Sequence, residues 1–502
     1  MSRPHAPFAA VVLAAGKGTR MKSRRAKVLH EIGGRPLAWY PVRRALEAGA
    51  DPVVVVVGHQ ARDVEAALTA ALPGAPVRFA VQEEQRGTAH AVLAAKAALR
   101  GWKGPIAILS GDTPLLRLET LRRVVAARGR ARAAVAFATM RLEDPHGYGR
   151  VIRDAEGKPA RIVEEKDATD PERALDEVNA GLYCADAAFL WKALARVGSA
   201  NAQGEFYLTD LVAMAARRGG AVAVQVDPAE ASGVNDREEL ARAGRVLLRR
   251  RASALMRAGV TIEDPDRFDC DEGVEIGTDV VVEPGVRLLG RTRIGPGCRV
   301  GAGAILNDAV LARDVTVRPY TVVDESTVAT GAILGPFSRL RPGSDIGEGA
   351  HVGNFVETKK TRLGKGAKAN HLAYVGDAFV GAGANVGAGT ITCNYDGEKK
   401  HQTHIGDGAF IGSDSILVAP IEIGAGAYVA AGSVVTEPVP AGALALGRAR
   451  QVTKEGWVER RNAARKAAEA SPPSRGAPPA APAEGPSPSA PGKARAAARQ
   501  AG

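Results

Sequence analysis

The sequence predicts an α/β domain with a mostly parallel sheet, then a parallel β-helix of hexapeptide repeats, then a tail without a core. Three observations carry this expectation. Short apolar segments ("FAAVVLAAG", "PVVVVVG", "PIAILSGD", "AAVAFAT") alternate with Ala/Arg/Leu-rich stretches over residues 1–235, the pattern of a sheet crossed by helices. From Ile276 an aliphatic residue returns every six positions. Glycine is frequent, 58 of 502 residues, and aromatics make up only 4%, which favours many tight turns over a core packed around rings.

After residues 1–235, residues 236–260 read as a linker helix. "DREELARAGRVLLRRRASALMRA" sets Leu240, Leu247, Leu248 and Leu255 on one stripe. Residues 261–460 carry the ladder. Ile276, Val282, Leu288, Ile294, Val300 and Leu306 are six apart, as are Leu334, Leu340, Ile346 and Val352. After interruptions, Ile405, Ile411, Leu417, Ile423, Val429 and Val435 resume the beat. Gly commonly follows, and a small residue (Ala304, Ser344, Ala350, Thr390, Ala427) often lies four after the aliphatic. Six residues make one flat side of a triangular coil, the aliphatic pointing inward and Gly or Asn allowing the corner. A flexible Gly-rich linker would not keep that register. Residues 461–502 read as a basic, Pro/Ala-rich disordered tail. From Ser471 on, its Pro, Ala and Ser cannot bury enough apolar surface to offset chain entropy.

The net charge of +12 raises the question of nucleic acid. Residues 448–502 hold 11 Lys+Arg against 4 Asp+Glu, so over half the excess sits in the tail. The body is mildly basic, as suits phosphorylated substrates, and no nucleic-acid-reading motif is present. Cys184, Cys270, Cys298 and Cys393 are far apart without a C-x-x-C pair. That argues against a disulfide framework or thiolate zinc site and suits a reducing cytosol. The apolar run Phe8 to Ala15 reads as a buried strand rather than a signal segment, and no stretch is long enough to span a bilayer.

"LAAGKGTRMKSRRAK" follows the first predicted strand, so its glycines lie at the sheet edge where α/β folds bind ligands. Gly16 and Gly18 would let backbone N–H groups approach phosphate oxygens, with Lys17, Arg20 and Lys27 supplying charge. A tight turn without a ligand explains this stretch equally well. "VQEEQRGTAHA" adds an amide and a Gly-Thr turn able to read a nucleobase edge. "ILSGDTP" ends an apolar strand on Asp112, a carboxylate placed to hold Mg²⁺ against phosphates.

In the ladder, polar groups collect where the beat stops. "HVGNFVETKKTRLG" brings Glu357, Lys359 and Lys360, "KANHLAYVG" puts His371 and Tyr374 near a coil edge, and "CNYDGEKKHQTH" adds Asn394, Tyr395 and Lys400, with Arg341 on a nearby coil. Arg and Lys suit a phosphate. His371 is the candidate base for an amine that must lose a proton to attack a thioester, and backbone N–H groups at a corner suit the oxyanion.

L-x-x-G-x-G-T-x-M, "QRGTAHA", "GDTPLL", "GYGRV", "IVEEKDAT", "VNAGLY" and "SGVND", followed by a hexapeptide β-helix, together resemble a bacterial enzyme family over about residues 8–460. That family is the bifunctional N-acetylglucosamine-1-phosphate uridylyltransferase / glucosamine-1-phosphate acetyltransferase. The resemblance implies a Rossmann-like nucleotidyltransferase domain followed by a left-handed parallel β-helix, in a cytoplasmic homotrimer. It implies Mg²⁺ as cofactor, with UTP and acetyl-CoA as co-substrates.

By motif, Leu13, Ala14, Ala15, Gly16 and Lys27 would hold the nucleotide, with Gln82, Gly87 and Thr88 at the uracil. Gly149, Glu164 and Asn179 would bind the sugar, and Asp112 with Asn235 the metal. In the β-helix the resemblance implies Arg341, Lys359, Tyr374, Asn385 and Lys400 for the sugar phosphate. It makes His371 the proton acceptor and Glu357 a residue that orients it. Ala388, Asn394, Tyr395, Ser413, Ala431 and Arg448 would contact acetyl-CoA, and "QVTKEGW" matches the family's C-terminal arm. Two positions depart from the pattern: Ala26 stands where Pro is usual before the lysine, and Ser110 where Tyr is usual before Gly-Asp. The first is expected to loosen the lysine's loop. A rival reading, a hexapeptide-fold carbonic anhydrase using His351, His371, His401 and His404, leaves the lysines and the N-terminal half without a task.

Overall fold

The computed structural model describes residues 7–470 except 219. Seven of the nine strands of its N-terminal sheet run in the order Ala221–Gln225, Val135–Arg141, Glu177–Asp186, Pro105–Ser110, Phe8–Ala14, Ala50–Val57 and Val77–Val81. Along this order all neighbours are parallel except those of Glu177–Asp186, which runs against both; Arg150–Arg153 and Pro159–Val163 add an antiparallel pair beside it. The chain steps from Phe8–Ala14 to Ala50–Val57 on one side, then crosses to Pro105–Ser110 on the other. A crevice opens at such a switch point, beyond the strand C-termini. Ala9, Val11, Val12, Val54, Val55, Ile106 and Ile108 are fully buried, so both faces of this sheet are covered, which is why its strands read as unbroken apolar runs.

The helix Arg237–Arg257 begins at Asp236, whose side chain accepts from Glu239 N–H, a capping bond that satisfies an otherwise orphaned donor. Ala243 and Leu247 pack with Ile32, Leu37 and Tyr40, while Ala252 and Leu255 belong to the β-helix core. One amphipathic helix thus closes a piece of core at each end. Leu248 is only half-buried.

Three parallel sheets of 11, 10 and 9 short strands form the sides of the β-helix. The expected aliphatics face inward, Val282, Leu288, Val300, Leu306, Leu334, Leu340, Ile346 and Val352 all at 0% exposure. Stacked coils bury one another's side chains, so removing one (Leu340→Ala) should cost about 2–5 kcal/mol.

Two expectations change. First, the coil does not break at residues 351–376. Thr358 and Ala369 occupy the inward position, beside Leu340 and Val375 and beside Val352 and Val386. Some sides are five residues long, as from Leu306 to Leu311 and Val323 to Val328. Among the described residues of the β-helix, only the segment between Thr392 and Ile405 leaves the coil. Second, the glycine next to each aliphatic is required for space rather than for turning. A Cβ on Gly381 would lie 2.4 Å from Asp407 N, and one on Gly412 2.5 Å from Ala431 N. The left-handed corner residue comes two positions later, as at Gly383 with φ 66°.

Residues 449–470 form a separate unit, with an exposed helix at Trp457–Ala470. The segment expected to lack structure from residue 461 is therefore helical to 470. The reading of 471–502 lies outside the described residues. Among the described residues no helix is long and apolar enough to cross a membrane.

Candidate active sites

At the C-terminal edge of the N-terminal sheet, the loops after four strands meet. Gly111 N–H donates to Leu13 O at 2.8 Å, and a Cβ on Gly111 would strike that oxygen at 2.6 Å, so "GD" must follow the strand closely to bring Asp112 forward. The half-buried Lys27 ammonium bonds the Asp112 carboxylate and, at 3.3 Å, Asn235 Oδ1. Arg20 donates to the same Asn235 oxygen at 2.8 Å. A Cβ on Gly18 would overlap Lys27 Cβ at 2.4 Å, so the glycine loop and the lysine pack together. Asp112 and Asn235 thus bring two hard oxygen donors around one cationic point, a set that fits a small divalent cation completed by phosphate and water.

Gln82 is buried, its amide nitrogen 3.2 Å from Gly87 O and 3.0 Å from His90 Nδ1. Leu208 N–H donates to the Thr88 hydroxyl. Glu164 accepts from Thr209 Oγ1 at 3.0 Å, and burial raises its pKa above the ordinary carboxylate value. Gly149 packs on that carboxylate: an added Cβ would lie 3.4 Å from both of its oxygens. Asn179 N–H donates to Gly149 O, and Asn179 Oδ1 accepts from Gly181 N–H. The structure therefore groups Gly149, Glu164 and Asn179. Sequence reasoning missed what anchors them: fully buried Arg150 pairs with Glu165 at 2.8 Å, and Glu165 also accepts Gly147 N–H. The adjacent acids in "VEEK" were the available signal.

In the β-helix the candidates lie along the two edges of the 10-stranded sheet, with His371 ending a strand of the 11-stranded sheet at the corner the two share. Along the first edge, Asn354 O accepts from Leu372 N–H, Ala388 O from Asp414 N–H, and Ser413 O from Gly432 N–H. His371, Ala388, Ser413 and Ala431 thus follow one another coil by coil, with Arg448 beside Gly432. At the opposite edge, Arg341 pairs with Glu357 at 2.9 Å. The Lys359 ammonium faces that of Lys400, and this apposition lowers the Lys359 pKa. Tyr374 lies on the sheet between the edges.

The excursion carrying Lys400 is itself tied down. Asn394 is buried and donates to Asp377 at 2.5 Å and to Tyr374 Oη at 3.3 Å. Asp396 accepts Lys399 N–H, the His401 ring nitrogen and Glu398 N–H, which together hold its carboxyl well below the usual range. The exposed Tyr395 bonds Gly397 O.

Two site expectations need correcting. Glu357 does not orient His371, because its carboxylate goes to Arg341. The partner of His371 is Asn354, with Oδ1 2.7 Å from Nδ1. Asn354 sits opposite His371 in the parallel ladder, a relation readable only once the coil length is known. Asn385 is not brought to the cation cluster either. It lies on the 11-stranded sheet that also carries His371, between Lys368 and Phe410. Among the described residues no group of three or more His, Cys, Asp or Glu side chains could hold a metal ion, so the four histidines do not form a zinc cage.

Fold and site together define a nucleotidyltransferase joined to a hexapeptide transferase. The MobA-like NTP transferase domain model matches residues 10–175, and the bacterial transferase hexapeptide (six repeats) model matches 273–308 and 402–437. The protein named Bifunctional protein GlmU in Anaeromyxobacter sp. (strain Fw109-5) is 78% identical to this chain, covering 94% of it and 97% of its own length. Those of Sorangium cellulosum (strain So ce56) and Geobacter sulfurreducens (strain ATCC 51573 / DSM 12127 / PCA) are 54% and 48% identical. They cover 92% and 90% of this chain and 98% and 99% of their own. The chain belongs to the GlmU family of bifunctional enzymes.

Proposed function

We propose that residues 1–235 transfer UMP from UTP to N-acetylglucosamine 1-phosphate, and that residues 261–460 first acetylate glucosamine 1-phosphate with acetyl-CoA. The observation that carries this reading is the presence of two distinct clusters. One is a phosphate-facing crevice around Lys27, Asp112 and Asn235; the other is a β-helix face with a base on one edge and three cations on the other.

In the first reaction the sugar phosphate is already anionic at neutral pH, so its oxygen needs no base to attack the α-phosphorus of UTP, and pyrophosphate leaves. Catalysis is then alignment and charge neutralisation. Lys27 and Arg20 supply charge, Gln82 and Thr88 place the uracil, and Glu164 and Asn179 hold the sugar. Asp112 and Asn235 would hold Mg²⁺, which when bound neutralises phosphate charge.

In the second reaction Asn354 Oδ1 accepts from His371, so the ring carries its proton on Nδ1 and leaves the Nε2 lone pair free. As the substrate amine adds to the thioester carbonyl, Nε2 takes its proton. The tetrahedral intermediate collapses and the departing CoA thiolate receives a proton from the imidazolium. Arg341, Lys359 and Lys400 grip the sugar phosphate beside Tyr374. Acetyl-CoA lies along the column of Ala388, Ser413 and Ala431, with Asn394, Tyr395 and Arg448 near its path. Asn385, away from the cation cluster, serves a site shared between β-helices in a homotrimer, where a second copy supplies it.

Incubating the purified protein with glucosamine 1-phosphate, acetyl-CoA, UTP and Mg²⁺ should yield UDP-N-acetylglucosamine. Formation of neither acetylated sugar phosphate nor pyrophosphate would refute the reading.

A further inference from the structure

The segment Lys22–Arg25 that leads to Lys27 is exposed, and Ala26 stands at its end, where the family resemblance implies a proline. A proline ring fixes φ near −65°. Ala26 nevertheless has φ −55° and ψ 141°, the conformation the ring would impose. Gln60 accounts for it. Its Oε1 accepts Ala26 N–H at 2.5 Å and its Nε2 donates to Arg24 O at 2.8 Å, so one amide grips the backbone on both sides of Arg25. A proline would have no N–H to offer here. The ring and the amide are therefore alternative ways of fixing the same backbone.

Gln60 is held for this task. It follows the strand Ala50–Val57 through Gly58, where a Cβ would lie 2.9 Å from Ala15 O, so the turn is pressed against the glycine loop. It adopts φ 55° and ψ 41° at the start of the helix Ala61–Ala71, a left-handed conformation uncommon for a residue with a side chain. Its carbonyl accepts from Asp63 and Val64 N–H, both at 3.1 Å, so the turn that aims the amide is part of the helix start.

We propose that Gln60 is a positioning residue for uridylyl transfer, substituting for the missing proline by clamping the loop that presents Lys27. This rests on the reading of Lys27 as a cation for the triphosphate. Small misplacement of an aligned group can cost about 10²-fold in rate, so losing the clamp should show in UTP turnover.

The test uses the full chain with Gln60→Gly, which removes the amide yet makes the left-handed turn easier to form. Uridylyl transfer should lose about tenfold or more in kcat/KM for UTP, while acetyl transfer and the melting temperature stay at parent values. Ala26→Pro added to Gln60→Gly should recover most of the loss. Added to Lys27→Ala, Gln60→Gly should cost little more, because it acts through the lysine. An unchanged kcat/KM in Gln60→Gly, no recovery with the proline, or a full additive loss on Lys27→Ala would overturn the proposal. If Lys27→Ala itself left uridylyl transfer intact, the assignment of Lys27 would fall instead, and the two failures are distinguishable.

Discussion

The two candidate sites handle charge in opposite ways. In the N-terminal crevice the cations already have partners, Lys27 with Asp112 and Arg20 with Asn235. On the proposed reading, a bound triphosphate would redistribute those pairs. On the β-helix face Lys359 and Lys400 oppose each other with Arg341 nearby; Glu357 pairs with Arg341, and Asp377 offsets Lys359 in part. On the proposed reading, the rest of the balancing charge arrives with the sugar phosphate. The construction differs as well. The first site collects loops from distant parts of the sequence at one sheet edge, whereas the second repeats one corner on successive coils. A strand-end site can be tuned loop by loop. A repeat site gains groups by changing what stands at one position of each coil, and by a single excursion.

The sharpest way to break this comparison is at the base. His371→Ala removes no charge from the cation cluster, and loss of a general base costs about 10²–10⁴-fold in rate. Acetylation measured as CoA release should fall by that factor. A rate near the parent's would make His371 structural and unseat the β-helix site.

Lys400→Ala tests the claim that the cations await a phosphate. The KM for glucosamine 1-phosphate should rise about tenfold, the scale of a charged hydrogen bond, with kcat little changed. The pH dependence has a definite sign. Apposition lowers the Lys359 pKa below the ordinary lysine value of about 10.4, so free enzyme loses that proton sooner than a normal lysine would. An anion favours the charged form, so KM should climb as pH rises through the lowered value. In Lys400→Ala that climb should move to higher pH, and an unmoved profile would contradict the cluster.

Asn354→Ala should lower kcat for acetylation about tenfold and shift its pH–rate profile, because Asn354 fixes which ring nitrogen of His371 carries the proton. Asn354→Asp, which keeps an acceptor there, should recover much of the loss. Equal damage in both variants would point to packing instead. The smallest effect belongs to the tail: a chain ending at Ala470 should keep both activities, and loss of either in paired assays would give the Pro/Ala-rich segment a role.

Much of this was legible in the sequence, and the misses share a cause. Apolar strands ending in Gly-Lys-Gly or Gly-Asp announce the crevice because burial and close backbone approach demand those residue types. The aliphatic beat announces the β-helix for the same reason. The beat faltered around Thr358 and Ala369 because an inward slot tolerates any side chain that fits, and a five-residue side shifts the count. Asn354 and Gln60 were invisible because each is defined by a contact across one coil or between two loops. No local pattern encodes such contacts. Ala26 looked like a weakness from sequence alone; in the fold its N–H is held by the Gln60 side chain, 34 residues away.

The most direct test of two separate sites runs His371→Ala and Asp112→Asn through both half-reactions. One assay follows acetylation of glucosamine 1-phosphate and the other pyrophosphate release from UTP with ready-made N-acetylglucosamine 1-phosphate. Asp112→Asn keeps the size of the strand-end side chain while removing the charge proposed to hold the metal. The expected result is crossed: His371→Ala loses acetylation alone and Asp112→Asn loses pyrophosphate release alone, each keeping the other activity at the parent rate. If either variant lost both activities while still folded, the two chemistries would share machinery and the account of two independent sites would be wrong.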